Sequence, residues 1–201
     1  MSTEHVHRDD FGSKLGMWLF LVTEMVLFGG LFIAYSAMRH RYPGEFHQAG
    51  AELNATLGVI NTFVLLTSSL TVVLSIVATQ RGELKRAMAF LGTTIGLGGV
   101  FLVIKAFEWA AKFHHGLYPN SPHLATLPPG EQIFFGLYFS MTGLHGLHII
   151  AGMGVLGWVL WMMARGQIRA DRYIHLENGG LYWHLVDVIW IFLLPLFYLA
   201  A

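Results

Sequence analysis

Seven ionisable side chains lie inside apolar stretches of this sequence, where a charge is costly and needs a partner, water or a function to explain it. They are Glu24, Lys105, Glu108, His145, His148, His184 and Asp187. Each suggests a chemistry. A carboxyl at position 24, with no basic residue nearby on its own segment, is expected to be protonated or hydrogen-bonded, and suits either a proton relay or a neutral hydrogen bond to a neighbouring helix. His145 and His148, three apart, share one helical face, as haem or copper ligands would. A metal held by those two alone lacks the carboxylate or third imidazole that such sites recruit, so hydrogen-bonded core histidines are expected instead. Height argues against a haem bridging His148 and His184, since His184 is expected about 5 Å and His148 about 20 Å from the same membrane face. Lys105 and Glu108 also sit three apart, which predicts an ion pair with the Lys stem snorkelling to water. Trp183, Asp187 and Trp190 recur at helical spacing with His184 beside them, a polar face turned toward another helix or a lipid headgroup.

The elements that carry these residues follow from composition. The chain has 201 residues, 55% of them apolar and only 12% charged, too little polar surface for a water-soluble domain of this size. Apolar runs at Leu15–Met38, Leu57–Thr79, Ala87–Ala110, Ile133–Met163 and Leu181–Ala200 each reach the roughly 20 residues that cross a hydrocarbon core. Backbone polar groups left bare in lipid require helices, and no short alternating segments suggest a barrel. The expected fold is all-α: a polytopic membrane helical bundle of five transmembrane helices, with residues 1–14 an N-terminal segment and 15–201 the membrane domain. The first run is long enough to span and no small-residue cleavage site follows it, so it is expected to be retained. Lys and Arg number eight on one side of the spans and three on the other, which places the N-terminus in the cytoplasm and the C-terminus outside.

Several local features are read as packing. Ser13 and Asn54 are predicted N-caps, and Pro128-Pro129-Gly130 breaks the chain before the fourth span. At about 46 Å the fourth span must tilt or protrude. Gly92, Gly96 and Gly99 predict close helix approach, as does the small polar face Asn61, Ser68, Thr71 and Ser75. Gly152, Gly154 and Gly157 spell a dinucleotide fingerprint outside its βαβ setting, hence a coincidence. Pro195 is expected to bend the last span, and Trp18, Trp109, Trp158, Trp161 and Tyr182 to anchor span ends at the headgroups. Zero cysteines exclude disulfides, thiolate metal sites and iron–sulfur clusters, and balanced charge without a basic run excludes a nucleic-acid partner.

The string Thr142-Gly-Leu-His-Gly-Leu-His-Ile149, followed by Glu177 and Tyr182-Trp-His-Leu-Val-Asp-Val-Ile-Trp190, resembles subunit III of haem-copper cytochrome c oxidases. Leu15-Gly-Met-Trp-Leu-Phe-Leu-Val-Thr-Glu-Met-Val-Leu-Phe28 is similar to that family's segment with a buried glutamate, which falls on Glu24, and Phe107-Glu-Trp109 to its glutamate at the end of a later helix. The resemblance runs from about Lys14 to the C-terminus and corresponds to a short five-helix form, since the familiar form has seven helices and a lipid-filled cleft after the first two. It implies an accessory subunit of a proton-translocating terminal oxidase, in the inner (plasma) membrane of a bacterium. That subunit would carry no redox centre or metal, with haem and copper in partner subunits. It would contact subunit I, with subunit II in the same complex and a larger respiratory supercomplex beyond, bind phospholipid and support proton uptake. Glu24 is the proton-related position. Glu108, His145, His148, Glu177, Trp183, His184, Asp187 and Trp190 are the polar bundle, lipid or subunit contacts. Five-helix relatives also serve quinol oxidases and accompany nitric oxide reductases; Glu24 favours the cytochrome c type. A third reading is a free-standing redox enzyme or proton-conducting transporter built on Glu24, His145, His148 and Asp187.

Overall fold

A computed structural model describes residues 10–199. Arg8, one of the charges that set the expected orientation, and Ala200, the expected end of the last span, lie outside them. Helix α1 runs Asp10–Arg41, α2 Pro43–Ala51, α3 Ala55–Gln80, α4 Leu84–His114, α5 Pro129–Ala164 and α6 Ile174–Leu194. A π-helical turn over Pro195–Leu199 continues α6, and a short 3-10 turn at Leu124–Thr126 precedes α5. All but α2 are long and apolar enough to cross a membrane, the last counted through Leu199. Among the described residues there is no strand, only one isolated bridge between Arg169 and Arg172.

Local chemistry sets the boundaries. The Asn54 side chain accepts from Leu57 N at 3.2 Å and caps α3. Ser13 caps nothing: it lies within α1, whose helical turns begin three residues earlier. α3 closes on Gly82 at φ 77°, with Glu83 N donating to Ala78 O, and α5 on Gly166 at φ 70°, with Gln167 N donating to Met162 O. That left-handed residue followed by a six-to-one bond reverses the chain at low cost with glycine. Pro129 opens α5, where its missing N–H is no loss. α5 is 36 residues long, or about 54 Å, longer than the hydrocarbon core. Pro195 ends regular α-helix in the last span as its lack of an N–H requires.

The helices are unequally enclosed. Half of the most apolar window of the last span is buried, against 11% for α1, so α6 is central and α1 peripheral. Trp183 and Trp190 of α6 are fully buried. Trp183 donates to Ser68 Oγ and Trp190 to Thr62 Oγ1, each at 3.0 Å, binding α6 to α3. α3 and α4 meet along the predicted small polar face: Thr71 bonds Thr94 at 2.8 Å and Ser75 donates to Ala87 O at 2.8 Å. The predicted glycine stripe faces the wrong way. A methyl added at Gly92 or Gly96 would meet no atom within contact distance, and one at Gly99 only Met153 Cε at 3.9 Å. The close approach is at Gly98, where a Cβ would stand 2.8 Å from Trp183, and at Gly152, where it would stand 2.9 Å from the same ring. Of the predicted anchors, Trp18, Trp158 and Trp161 are about half exposed, whereas Tyr182 is buried and Trp109 packs on Phe139 with ring centroids 5.0 Å apart.

α2 was not expected from the sequence. It lies at one end of the bundle, with Phe46 and Ala49 fully buried. Phe46 joins an aromatic ring-on-ring set with Tyr35, Phe134 and Phe197 at centroid separations of 4.9–5.6 Å. The Glu45 carboxylate accepts from Gly130 N at the start of α5, and Lys112 donates to Glu52 O.

Candidate functional site

Two polar centres form in the bundle. The first joins α1 to α5. Glu24 Oε2 meets His148 Nε2 at 2.9 Å, and both side chains are about one-seventh exposed. His148 Nδ1 lies 2.8 Å from Leu144 O, and since a carbonyl only accepts, Nδ1 carries a hydrogen. Nε2 then either accepts from a protonated Glu24 or, as imidazolium, donates to its carboxylate. In both cases one proton sits between the two groups and the pair is neutral overall, which is what an apolar setting favours. The hydrogen-bonded Glu24 expected from the sequence finds its partner here. Phe28 packs edge-on against the imidazole at 5.3 Å, Tyr182 stacks on it at 6.4 Å, and Tyr182 OH donates to His148 O at 3.2 Å.

The second centre lies among α4, α5 and the π-helical turn. Lys105 Nζ is 3.0 Å from Glu108 Oε2, 2.8 Å from Tyr198 OH and 3.2 Å from Tyr138 OH. Tyr138 and Tyr198 both donate to Glu108 Oε1, at 2.8 and 2.5 Å. The predicted Lys105–Glu108 pair is present, but the lysine does not snorkel: its side chain is 9% exposed and its ammonium lies over the Tyr138, Tyr198 and Trp190 rings at 5.1–5.5 Å. Two phenols and an indole face solvate it in place of water. Tyr138 and Tyr198 went unnoticed in the sequence. The available signal was that a tyrosine far inside an apolar run needs a partner for its hydroxyl.

The remaining candidates are dispersed. His145 is fully buried, but among the described residues neither ring nitrogen has a hydrogen-bond partner; the ring stacks on Trp190 at 5.3 Å and meets Phe101 edge-on at 5.5 Å, so it packs as an aromatic rather than as the hydrogen-bonded histidine expected. His184 Nδ1 bonds Ser69 Oγ at 2.6 Å, not Asp187. Among the described residues, neither oxygen of the buried Asp187 meets a hydrogen-bond partner, with Ser69 its neighbouring hydroxyl. The polar face of α6 therefore turns toward α3, through Trp183, His184 and Trp190. Glu177, in the first turn of α6, pairs with Lys14 at 2.8 Å. Among the described residues no three His, Asp or Glu side chains gather as a metal site.

A bundle of five spanning helices with ionisable groups paired within and between helices defines a multi-pass α-helical membrane protein. Within that class, the chain belongs to the cytochrome c oxidase subunit III family, whose pattern it matches over residues 1–201. It is 30% identical over 202 residues to cytochrome c oxidase subunit 3 of Thermostichus vulcanus, covering 100% of this chain and 94% of that one. It is also 30% identical over 202 residues to cytochrome bo(3) ubiquinol oxidase subunit 3 of Pseudomonas aeruginosa, covering 98% and 90%. Against cytochrome c oxidase subunit 3 of Bacillus sp. (strain PS3) the identity is 33% over 193 residues, covering 93% and 85%. The chain is thus similar to haem-copper oxidase third subunits along nearly their whole length.

Proposed function

We propose that this chain is the accessory third subunit of a proton-translocating terminal oxidase in a bacterial inner membrane, most closely fitted to the cytochrome c type. It carries no redox centre; haem and copper belong to partner subunits, with subunit I its main contact and subunit II in the same complex. Phospholipid binds its surface, and its role toward the catalytic subunit is stabilisation and support of proton uptake. The excess of Lys and Arg at the Arg81–Arg86 and Arg165–Arg172 connections supports a cytoplasmic N-terminus.

The observation that carries this reading is the Glu24–His148 bond. The two motifs that resemble the family, one around Glu24 and one around His148, are 124 residues apart in sequence and meet in a single hydrogen bond. A carboxyl partnered in this way has a structural role at that position and can still exchange one proton with its neighbour. The 30% identity to a ubiquinol oxidase subunit supports a second reading with the same role and quinol as the electron donor.

The test is a mild-detergent pull-down through this chain, with mass spectrometry of its partners and visible spectra before and after the chain is stripped away. Haem-copper subunits in the eluate and a colourless stripped chain are expected. A haem band that stays with this chain would overturn the proposal. The electron donor follows from whether the eluate oxidises cytochrome c or a quinol.

A further inference from the structure

At the end of α1 nearest α2, a groove of about 460 Å³ opens between α1 and the π-helical turn, with Tyr35, Ser36, Arg39, His40 and Leu196 among its walls. Arg39 is partly buried in it, and no carboxylate among the described residues pairs with its guanidinium. Ser36 and His40 are exposed beside it. The Ser36 hydroxyl donates to Phe32 O at 2.9 Å, which aims its oxygen lone pairs away from the helix. Tyr35 OH donates to Leu196 O and holds the two walls together.

Height and surroundings decide what this cation serves. Arg39 lies about 22 Å along α1 from Glu24, which is roughly the distance from mid-membrane to the headgroup layer. Toward mid-membrane the same side of the bundle is apolar and open: Ile33 is 73% and Phe192 53% exposed, and Phe192 packs on Phe32 at 6.0 Å. A guanidinium that no carboxylate among the described residues pairs with, above an open strip of aliphatic and aromatic side chains, has the vertical order of a phospholipid, phosphate above and acyl chains below. A free anion would use the upper half only.

We propose that this groove binds one anionic glycerophospholipid of the leaflet on the α1–α2 side, its phosphate forked by Arg39 and received by Ser36 or His40, its acyl chains lying along Ile33 and Phe192. The planar guanidinium suits two phosphate oxygens at once. This rests on the phospholipid binding proposed above and adds to it a place, a leaflet and a headgroup charge.

The experiment uses the full chain with whatever oxidase subunits accompany it, exchanged into phosphatidylcholine nanodiscs, titrated with palmitoyl-oleoyl phosphatidylglycerol and read by native mass spectrometry as lipid retained. Arg39→Gln should weaken retention of one phosphatidylglycerol by about tenfold or more, as loss of a charge-assisted pair implies. Arg39→Lys, which keeps the charge and guards against a folding defect, should fall between it and the parent. Arg41→Gln, which removes a cation stacked on Tyr42 outside the groove, should leave retention unchanged. Unaltered retention in Arg39→Gln, or displacement of the lipid by inorganic phosphate, overturns the proposal; the second outcome marks a free-anion site. The two readings fail separately. A chain that holds phosphatidylglycerol through Arg39 but brings down no oxidase subunit sinks the functional reading alone, while co-purification with lipid retention indifferent to Arg39 sinks this one alone.

Discussion

The two polar centres solve one problem in opposite ways. Around Lys105 and Glu108, four side chains from three elements satisfy one another with five bonds of 2.5–3.2 Å in a nearly sealed site. Glu24 and His148 share a single bond, remain partly exposed, and join the bundle to its least enclosed helix. A closed network fixes a fold, because every member depends on the others. A lone shared proton at the rim of the bundle fixes less and can change with its surroundings. The contrast teaches that buried charge alone does not identify a functional group; the number of partners and the access to it separate structural from adjustable sites.

The largest effect expected of any single change tests the sealed centre. Glu108→Ala leaves an ammonium and two phenols without their acceptor, and breaking a buried pair in this way costs about 3–5 kcal/mol. Loss of folded chain, or a large fall in the detergent unfolding midpoint, is the expected result. A midpoint close to the parent's would show that water reaches Lys105 and that the centre is not sealed.

Packing sharpens the same contrast. Gly98→Ala forces a methyl against Trp183 and Met153 and should cost about 1–3 kcal/mol. Gly30→Ala on the peripheral α1 meets open space and should stay within about 1 kcal/mol of the parent. Equal losses in the two variants would mean that α1 is as tightly held as the centre.

For the partly exposed pair, Glu24→Gln keeps a donor for His148 Nε2 and should cost less than about 1 kcal/mol, while Glu24→Ala strands the imidazole and should cost about 1–2 kcal/mol. Nitrogen NMR of His148 in Glu24→Gln should find Nδ1 protonated and Nε2 bare. Two protonated nitrogens would show that the histidine carries the charge by itself. Identical stability of the two variants would remove any structural role for the bond.

The smallest effect is at Asp187. Its buried carboxyl meets no hydrogen-bond partner among the described residues, with the Ser69 hydroxyl beside it. Asp187→Asn, whose amide can both donate and accept beside Ser69, should raise stability by up to about 1 kcal/mol. A loss of that size would reveal a partner for the carboxylate, and assembly assays would show whether it belongs to another subunit.

The five spans were legible because lipid removes the alternatives: long apolar runs admit only helices, and the observed ends differ from the expected ones by a few residues of helix continuing past the hydrocarbon. The start of α6 moves furthest, from the expected Leu181 to Ile174, which brings Glu177 into helix beside Lys14 and sets His184 deeper in its span than expected. Asn54 was readable as a cap because the signal is local, whereas Ser13 misled because the helix already runs past it. The Lys105–Glu108 pair was readable from a spacing of three, but its enclosure was not, since the tyrosines that enclose it come from α5 and the end of the chain. The Glu24–His148 contact has the same long-range character. Periodicity gives the face of a helix only when one face is apolar; where the whole circumference is, as in α4, it did not tell Gly98 from Gly96.

The carboxylate of Glu45 finishes the start of α5 from 85 residues upstream. In a chain made from its N-terminus, α1 and α2 are already complete when α5 emerges from the ribosome. The longest helix of the protein thus arrives with bare backbone N–H groups at its tip and finds its stopper waiting, so the order of synthesis is also the order in which this end of the bundle can be shut.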